Sequence, residues 1–218
     1  MSADSGATFK ARAGVQSWAS VVSSDNGMKL AASSFGGYVF TSVDAGLTWV
    51  AYGSHTAWSA LTSSGDGNLL LAAEYQGKLY ASNSSANPMI TFLPVNGKQN
   101  WNSVASSRNG THLVAGTQNG QVFLSNNTGV SWVSQNVTTG FVALASSADG
   151  SKLVAGDYGG LVYMSSDGGA TWVSKYSNAQ YWVSIASSSD GTMLLAAAYE
   201  GHIFRSTNSG VTWAPCMI

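Results

Sequence analysis

Short apolar runs and small polar turns alternate along almost the whole chain, and they recur in a fixed order. Each unit opens on an aromatic residue, at Trp18, Trp58, Trp101, Phe141 and Trp182, in steps of 40, 43, 40 and 41 residues. A fixed period of about 40–45 residues suits one four-stranded blade of a propeller. The first run of each unit is apolar and small: WASVVSS, WSALTSS, WNSVASS, FVALASS and WVSIASS. A tight turn follows at Asn26-Gly27, Asp66-Gly67, Asn109-Gly110, Asp149-Gly150 and Asp190-Gly191. Such pairs tolerate the positive φ of a two-residue hairpin turn, so each predicts a hairpin. The second run reads LAAS, LLAAE, LVAGT, LVAGD and LLAAA. A glycine turn at Gly37, Gly77, Gly120, Gly160 or Gly201 then leads to YVFTS, KLYAS, QVFLS, LVYMS and HIFRS.

The turn into the fourth run reads SVDAGLTW at 42–49, SNNTGVSW at 125–132, SSDGGATW at 165–172 and STNSGVTW at 206–213. These segments resemble the Asp-box (BNR) repeat of sialidases and of photosystem II assembly-factor-like propellers. The resemblance covers nearly the whole chain. It implies that the Ser and Asp side chains bind the turn backbone and that the Trp is buried. Asx and Ser side chains do satisfy turn amides, and a Trp anchors packing. Such turns speak for fold far more than for function. The second copy departs from the pattern: SNSSANPMITF at 82–92 carries an insertion, which predicts an altered turn.

The expected fold is all-β: one domain over 1–218, a five-bladed β-propeller with four antiparallel strands per blade. Ser2–Phe9, SADSGATF, is a further copy of the turn motif. The chain thus holds one more fourth strand than it has copies of the other three. Either residues 7–12 or Val211–Ala214 are expected to complete the closing blade. The other becomes an extra outer strand, and an unpaired edge invites a homo-oligomer. A fragment of a longer propeller, or a ring built from two chains, is the alternative. Ser20, Ala60, Ser103, Ala143 and Ser184, two residues after each opening aromatic, are small enough for strands crowded round a narrow axis.

Charged residues make up only 9% of the chain and the net charge is −1, so no nucleic-acid footprint is present. No long apolar run predicts a membrane span, and the N-terminus shows no basic-then-apolar leader. A single cysteine, Cys216, gives neither a disulfide framework nor a metal cluster, and no cofactor is expected.

Seven of the ten acidic residues fall in turns with structural work. Asp4, Asp44 and Asp167 lie in the turn motif, and Asp25, Asp66, Asp149 and Asp190 in first hairpins. The other three, Glu74, Asp157 and Glu200, lie in the loops between second and third strands. So do Phe35, Tyr75, Tyr158 and Tyr199, with Gln118 in the third copy. Propeller topology brings these loops to the face where the first strands begin, beside Trp18, Trp58, Trp101 and Trp182. Those four rings either pack between blades or join the loop residues as plates for a ligand. No catalytic residue is assigned.

Three functions compete. A non-catalytic carbohydrate-binding face uses the rings as plates and Glu74, Asp157, Asn102 or Gln118 for hydroxyls. A protein-binding scaffold uses the same rings as interface anchors, and the assembly-factor-like resemblance implies that class. A sialidase-like glycoside hydrolase needs an arginine cluster, and Arg12, Arg108 and Arg205 do not converge in the repeat register.

Overall fold

The structure, a computed structural model, describes residues 8, 14, 16–82, 98–137, 140–177 and 180–216. Every regular element among them is a strand, so no helix is long and apolar enough to cross a membrane. The first sheet runs β1 (Trp18–Ser23), β2 (Leu30–Ser42), β3 (Val50–Ser63), β4 (Leu70–Glu74) and β5 (Leu79–Ser82). The second holds β6 (Trp101–Ser106), β7 (Leu113–Thr117), β8 (Gln121–Ser125) and β9 (Val133–Asn136). The third holds β10 (Phe141–Ser146), β11 (Leu153–Asp157), β12 (Leu161–Ser165) and β13 (Val173–Ser177). The last holds β14 (Trp182–Ser187), β15 (Leu194–Ala198), β16 (Ile203–Ser206) and β17 (Ala214–Pro215). Each is an antiparallel meander, the topology of a β-propeller.

Five separate blades are not what forms. The strands make four sheets, because the first two repeats share one. Within β3, Val50–Ala57 pairs with β2, and Trp58–Ser63 pairs with β4. No proline or Asx-Gly pair interrupts Val50–Trp58, so one strand serves both repeats. The outer strand of the last sheet is C-terminal, Ala214 pairing with Arg205. The candidate N-terminal strand 7–12 and the variant turn at 82–92, beyond Ser82, lie outside the described residues.

Hairpin chemistry follows the sequence. Gly27, Gly67, Gly110, Gly150 and Gly191 all take positive φ, which is why glycine ends each first turn. The preceding Asn or Asp accepts from a serine two residues back, as in Ser24 Oγ to Asn26 Oδ1 at 2.8 Å and Ser147 Oγ to Asp149 Oδ1 at 2.6 Å. A register shift directly after the opening aromatic recurs in each first hairpin, a bulge that sets the ring apart from the rest of its strand.

The core lies between repeats. Leu71 and Leu79 cluster with Trp101 and Val104, while Val154 and Val162 cluster with Trp182 and Ile185. Successive first strands run side by side, and Ser20 and Ser103 accept bonds from the amides of Leu61 and Leu144. At the axis the first turns are chained by backbone bonds from Asp25 to Gly65, Arg108, Ala148 and Ser189. They surround a cavity of about 180 Å³ lined by serines and Arg108.

That chain does not return from Ser189 to Asp25, so the expected ring is not closed among the described residues. Trp18 is 42% exposed and Val21 72%, while Leu195 is 44% and Ile203 49% exposed. Their counterparts in the interior repeats are all buried, none above 9%. Closure requires these two faces to meet, and they do not.

Candidate ligand-binding rim

The two ends of the array are fixed by repeated backbone bonds. At one end, the amides of Phe35, Tyr75, Gln118 and Tyr199 bond the carbonyls of Ser17, Ala57, Asn100 and Tyr181. Each of those acceptors directly precedes an opening aromatic. The loop residue is thereby held beside the start of the inner strand, as the topology predicts. At the other end, Ala45, Thr128, Gly168 and Ser209 of the fourth-strand turns bond the first turns at Met28, Thr111, Ser151 and Thr192.

Phe35, Tyr75, Gln118, Tyr158, Tyr199 and Glu200 are exposed at the rim. Trp18 is exposed too, on the open end of the array, where its ring stands edge-on to Phe40 at 5.3 Å. Trp58, Trp101 and Trp182 are buried in the inter-repeat clusters and have no surface for a ligand. A large apolar ring next to an aliphatic neighbour face gains more by burial than by display.

Two of the three acids turn out to be turn caps. The second-to-third turn needs an acceptor at the last position of the second strand. Ser34 and Thr117 fill it with hydroxyls that accept from the amides of Tyr38 and Gln121. Asp157 fills it with Oδ1, which accepts from the Leu161 amide at 2.8 Å, and its side chain is buried. Glu74 fills it in the second repeat, where it accepts from Thr56 Oγ1, from the Lys78 amide and from the Tyr80 hydroxyl at 2.6 Å. Burial pushes the Glu74 carboxyl up, but the bonds from Thr56, Tyr80 and Lys78 outweigh it and the net shift is downward. Burial, then Glu74 itself, push the Tyr80 phenol up to about 12. Hydroxyl binding by Glu74 and Asp157 therefore competes with the turns they hold. Glu200, beside the alanine that occupies this position in the last repeat, stays exposed.

Other aromatic surface at the rim is not marked by the repeat. Tyr181 is exposed beside Tyr199, whose amide it receives. Tyr38 and His55 meet edge to face at 5.4 Å. Tyr181 replaces Ser17, Ala57, Asn100 and Gly140 at its position, so periodicity gives no cue to it. Arg108 sits at the opposite end, its Nε 2.6 Å from Asp25 Oδ2, and Arg205 lies exposed on the last sheet. Arg12 lies outside the described residues. The hydrolase-type arginine cluster is thus not formed by the two that are described.

The fourth-strand turns repeat one network. Ser42 Oγ donates to Asp44 Oδ1 at 2.7 Å and accepts from the Gly46 amide at 2.8 Å. Asp44 also accepts from the backbone amide and hydroxyl of Thr48. Asp167 repeats this geometry, and Asn127 and Asn208 do so without charge. The Trp of each turn is half-buried rather than buried, its indole tied to the turn's own glycine carbonyl at 3.0–3.1 Å.

An all-β propeller with an aromatic rim is the class these features define. No family model matches the chain, and no curated protein matches it. Among solved structures, YCF48 from Cyanidioschyzon merolae superposes with a TM-score of 0.62 at 13% identity, over 91% of this chain and 84% of that one. YCF48 bound to D1 peptide superposes with a TM-score of 0.68 at 14% identity, over 91% of this chain and 66% of that one. At this identity the likeness is one of fold.

Proposed function

We propose that the chain is a single non-catalytic propeller domain that binds a polypeptide partner across the rim. One observation carries this reading. Phe35, Tyr75, Tyr158 and Tyr199 occupy matching positions in four repeats and all are exposed. Rigid exposed aromatics are the usual anchors of protein interfaces. The low charge of the chain suits an apolar contact rather than an electrostatically steered one. A solved propeller of this fold carries a bound peptide, which supports a protein ligand over a glycan. Carbohydrate binding is weakened by the turn-capping work of Glu74 and Asp157.

The test is a random-peptide phage library and a glycan array applied to the same purified protein, wild type and Tyr75→Ala/Tyr158→Ala. Enriched peptides lost in the double variant support the proposal. A blank peptide selection beside discrete glycan hits lost in that variant would move the function to a lectin.

A further inference from the structure

Each repeat has two unlike faces. Toward the next repeat it presents aliphatic side chains of its second and third strands. Toward the previous one it presents the aromatic and an aliphatic of its first strand. Inside the chain these faces always meet: Ala31 and Val39 with Trp58 and Leu61, and Val114 and Val122 with Phe141 and Leu144. At the two ends of the array they do not. Trp18 and Val21 lie open at one end, Leu195 and Ile203 at the other. Each open face carries the side chains that the other lacks.

We propose that two copies of this chain associate head to tail, the Trp18–Val21 face of one copy packing on the Leu195–Ile203 face of the other. Register supports the fit. Leu195 pairs with Arg205 as Val154 pairs with Met164, and Val21 holds the position of Ile185, which clusters with Val154 and Met164. A cavity of about 440 Å³ lies at that spot, lined by Ala186, Met193, Leu194, Leu195 and Arg205. Its walls are mostly apolar, and the Arg205 stem covers apolar surface while its head stays wet. Val21 of a second copy enters it as Ile185 enters the preceding sheet. The contact buries apolar surface that the lone chain leaves in water. It repeats an interface that already recurs within the molecule. It is heterologous, so further copies add at the free ends. It runs through sheet faces, not through the spare edge strand expected from the sequence, and it uses none of Phe35, Tyr75, Tyr158 and Tyr199.

The test uses the full chain with Cys216→Ser, which removes its one cysteine. Val21→Cys and Leu195→Cys variants are oxidised alone and as a mixture, and a double variant is oxidised separately. The expected result is a cross-linked dimer in the mixture, none in either variant alone, and a ladder of oligomers in the double variant. Light scattering on the uncross-linked protein should show oligomers that Val21→Glu converts to monomer. Val21 is exposed in the lone chain, so this change spares the fold. A monomeric double variant with an internal cross-link means the two faces meet within one chain, and overturns the proposal. So do a monomeric wild type without cross-links, and cross-linking as strong in one variant alone as in the mixture.

Discussion

The indole nitrogen of Trp58 donates to the carbonyl of Gly37, 3.1 Å away across the boundary between two repeats. Trp101 does the same to Gly77 at 3.0 Å. Trp182 holds the same place, yet its Nε1 is buried with no partner among the described residues. Removing the nitrogen at Trp58 strands a carbonyl, whereas at Trp182 it relieves an unsatisfied donor. Trp58→Phe should therefore cost about 1–2 kcal/mol more than Trp182→Phe, the loss of volume being common to both. Urea unfolding of the two variants measures the difference, and equal costs would show that the bond contributes nothing.

Four turn carboxylates predict acid sensitivity. Asp44, Asp149, Asp167 and Asp190 are held down to about 2. The largest cause is a side-chain hydroxyl, from Thr48, Ser147, Thr171 and Ser188 respectively. A carboxyl depressed in the folded state stabilises it above the unfolded value and loses that contribution as pH falls through the folded one. Melting temperature should thus hold down to about pH 4 and drop steeply toward about pH 2. Asp167→Asn should lower stability slightly at neutral pH and flatten part of the acid limb, since Asn127 and Asn208 show that the turn forms without charge. An unchanged acid limb would contradict the assignment at that turn.

Tyr80 offers a spectroscopic check on the Glu74 cap. Its phenol is pushed up to about 12 by burial and by Glu74. Ultraviolet titration of wild type should show a tyrosine step at about 12. In Glu74→Gln that step should move down toward the ordinary tyrosine range, burial alone remaining. A step that does not move would mean the carboxylate does not face the phenol.

The rim tyrosines should be dispensable for folding. Tyr75→Ala and Tyr158→Ala remove exposed rings and should change stability by no more than about 0.5 kcal/mol each. Trp101→Ala opens a cavity in a buried cluster and should cost about 3–5 kcal/mol. Chemical denaturation of the three variants distinguishes rim from core directly.

Much of the architecture was legible because the signals were local and repeated. The Asx-Gly turns, the serine two residues before each and the fourth-strand turn motif all specify their own backbone. The faces of the array followed from them, as the bonds of Phe35 and Tyr199 to residues preceding Trp18 and Trp182 show. What sequence did not decide was how repeats meet. Trp18 and Trp58 are the same residue in the same motif, yet one is open and the other buried, because burial depends on a neighbour supplied elsewhere. The sheet shared through Val50–Ser63 escaped for a similar reason: a fourth strand that runs straight on into the next repeat's first strand leaves no mark in its alternation. Glu74 and Asp157 were set apart as free acids because turn capping at that position uses Ser, Thr, Glu or Asp interchangeably. Only the bonded partners reveal the common task.

The most direct measurement is the affinity of a peptide enriched on the wild-type protein, by biolayer interferometry, for three proteins: wild type, Tyr75→Ala/Tyr158→Ala, and Val130→Glu. Val130 is exposed in a fourth-strand turn at the end opposite the rim. The expected result is a loss of about tenfold or more in the rim variant, the scale of an interface anchor, with Val130→Glu unchanged. Equal affinity for all three, or loss only in Val130→Glu, would contradict a ligand-binding rim.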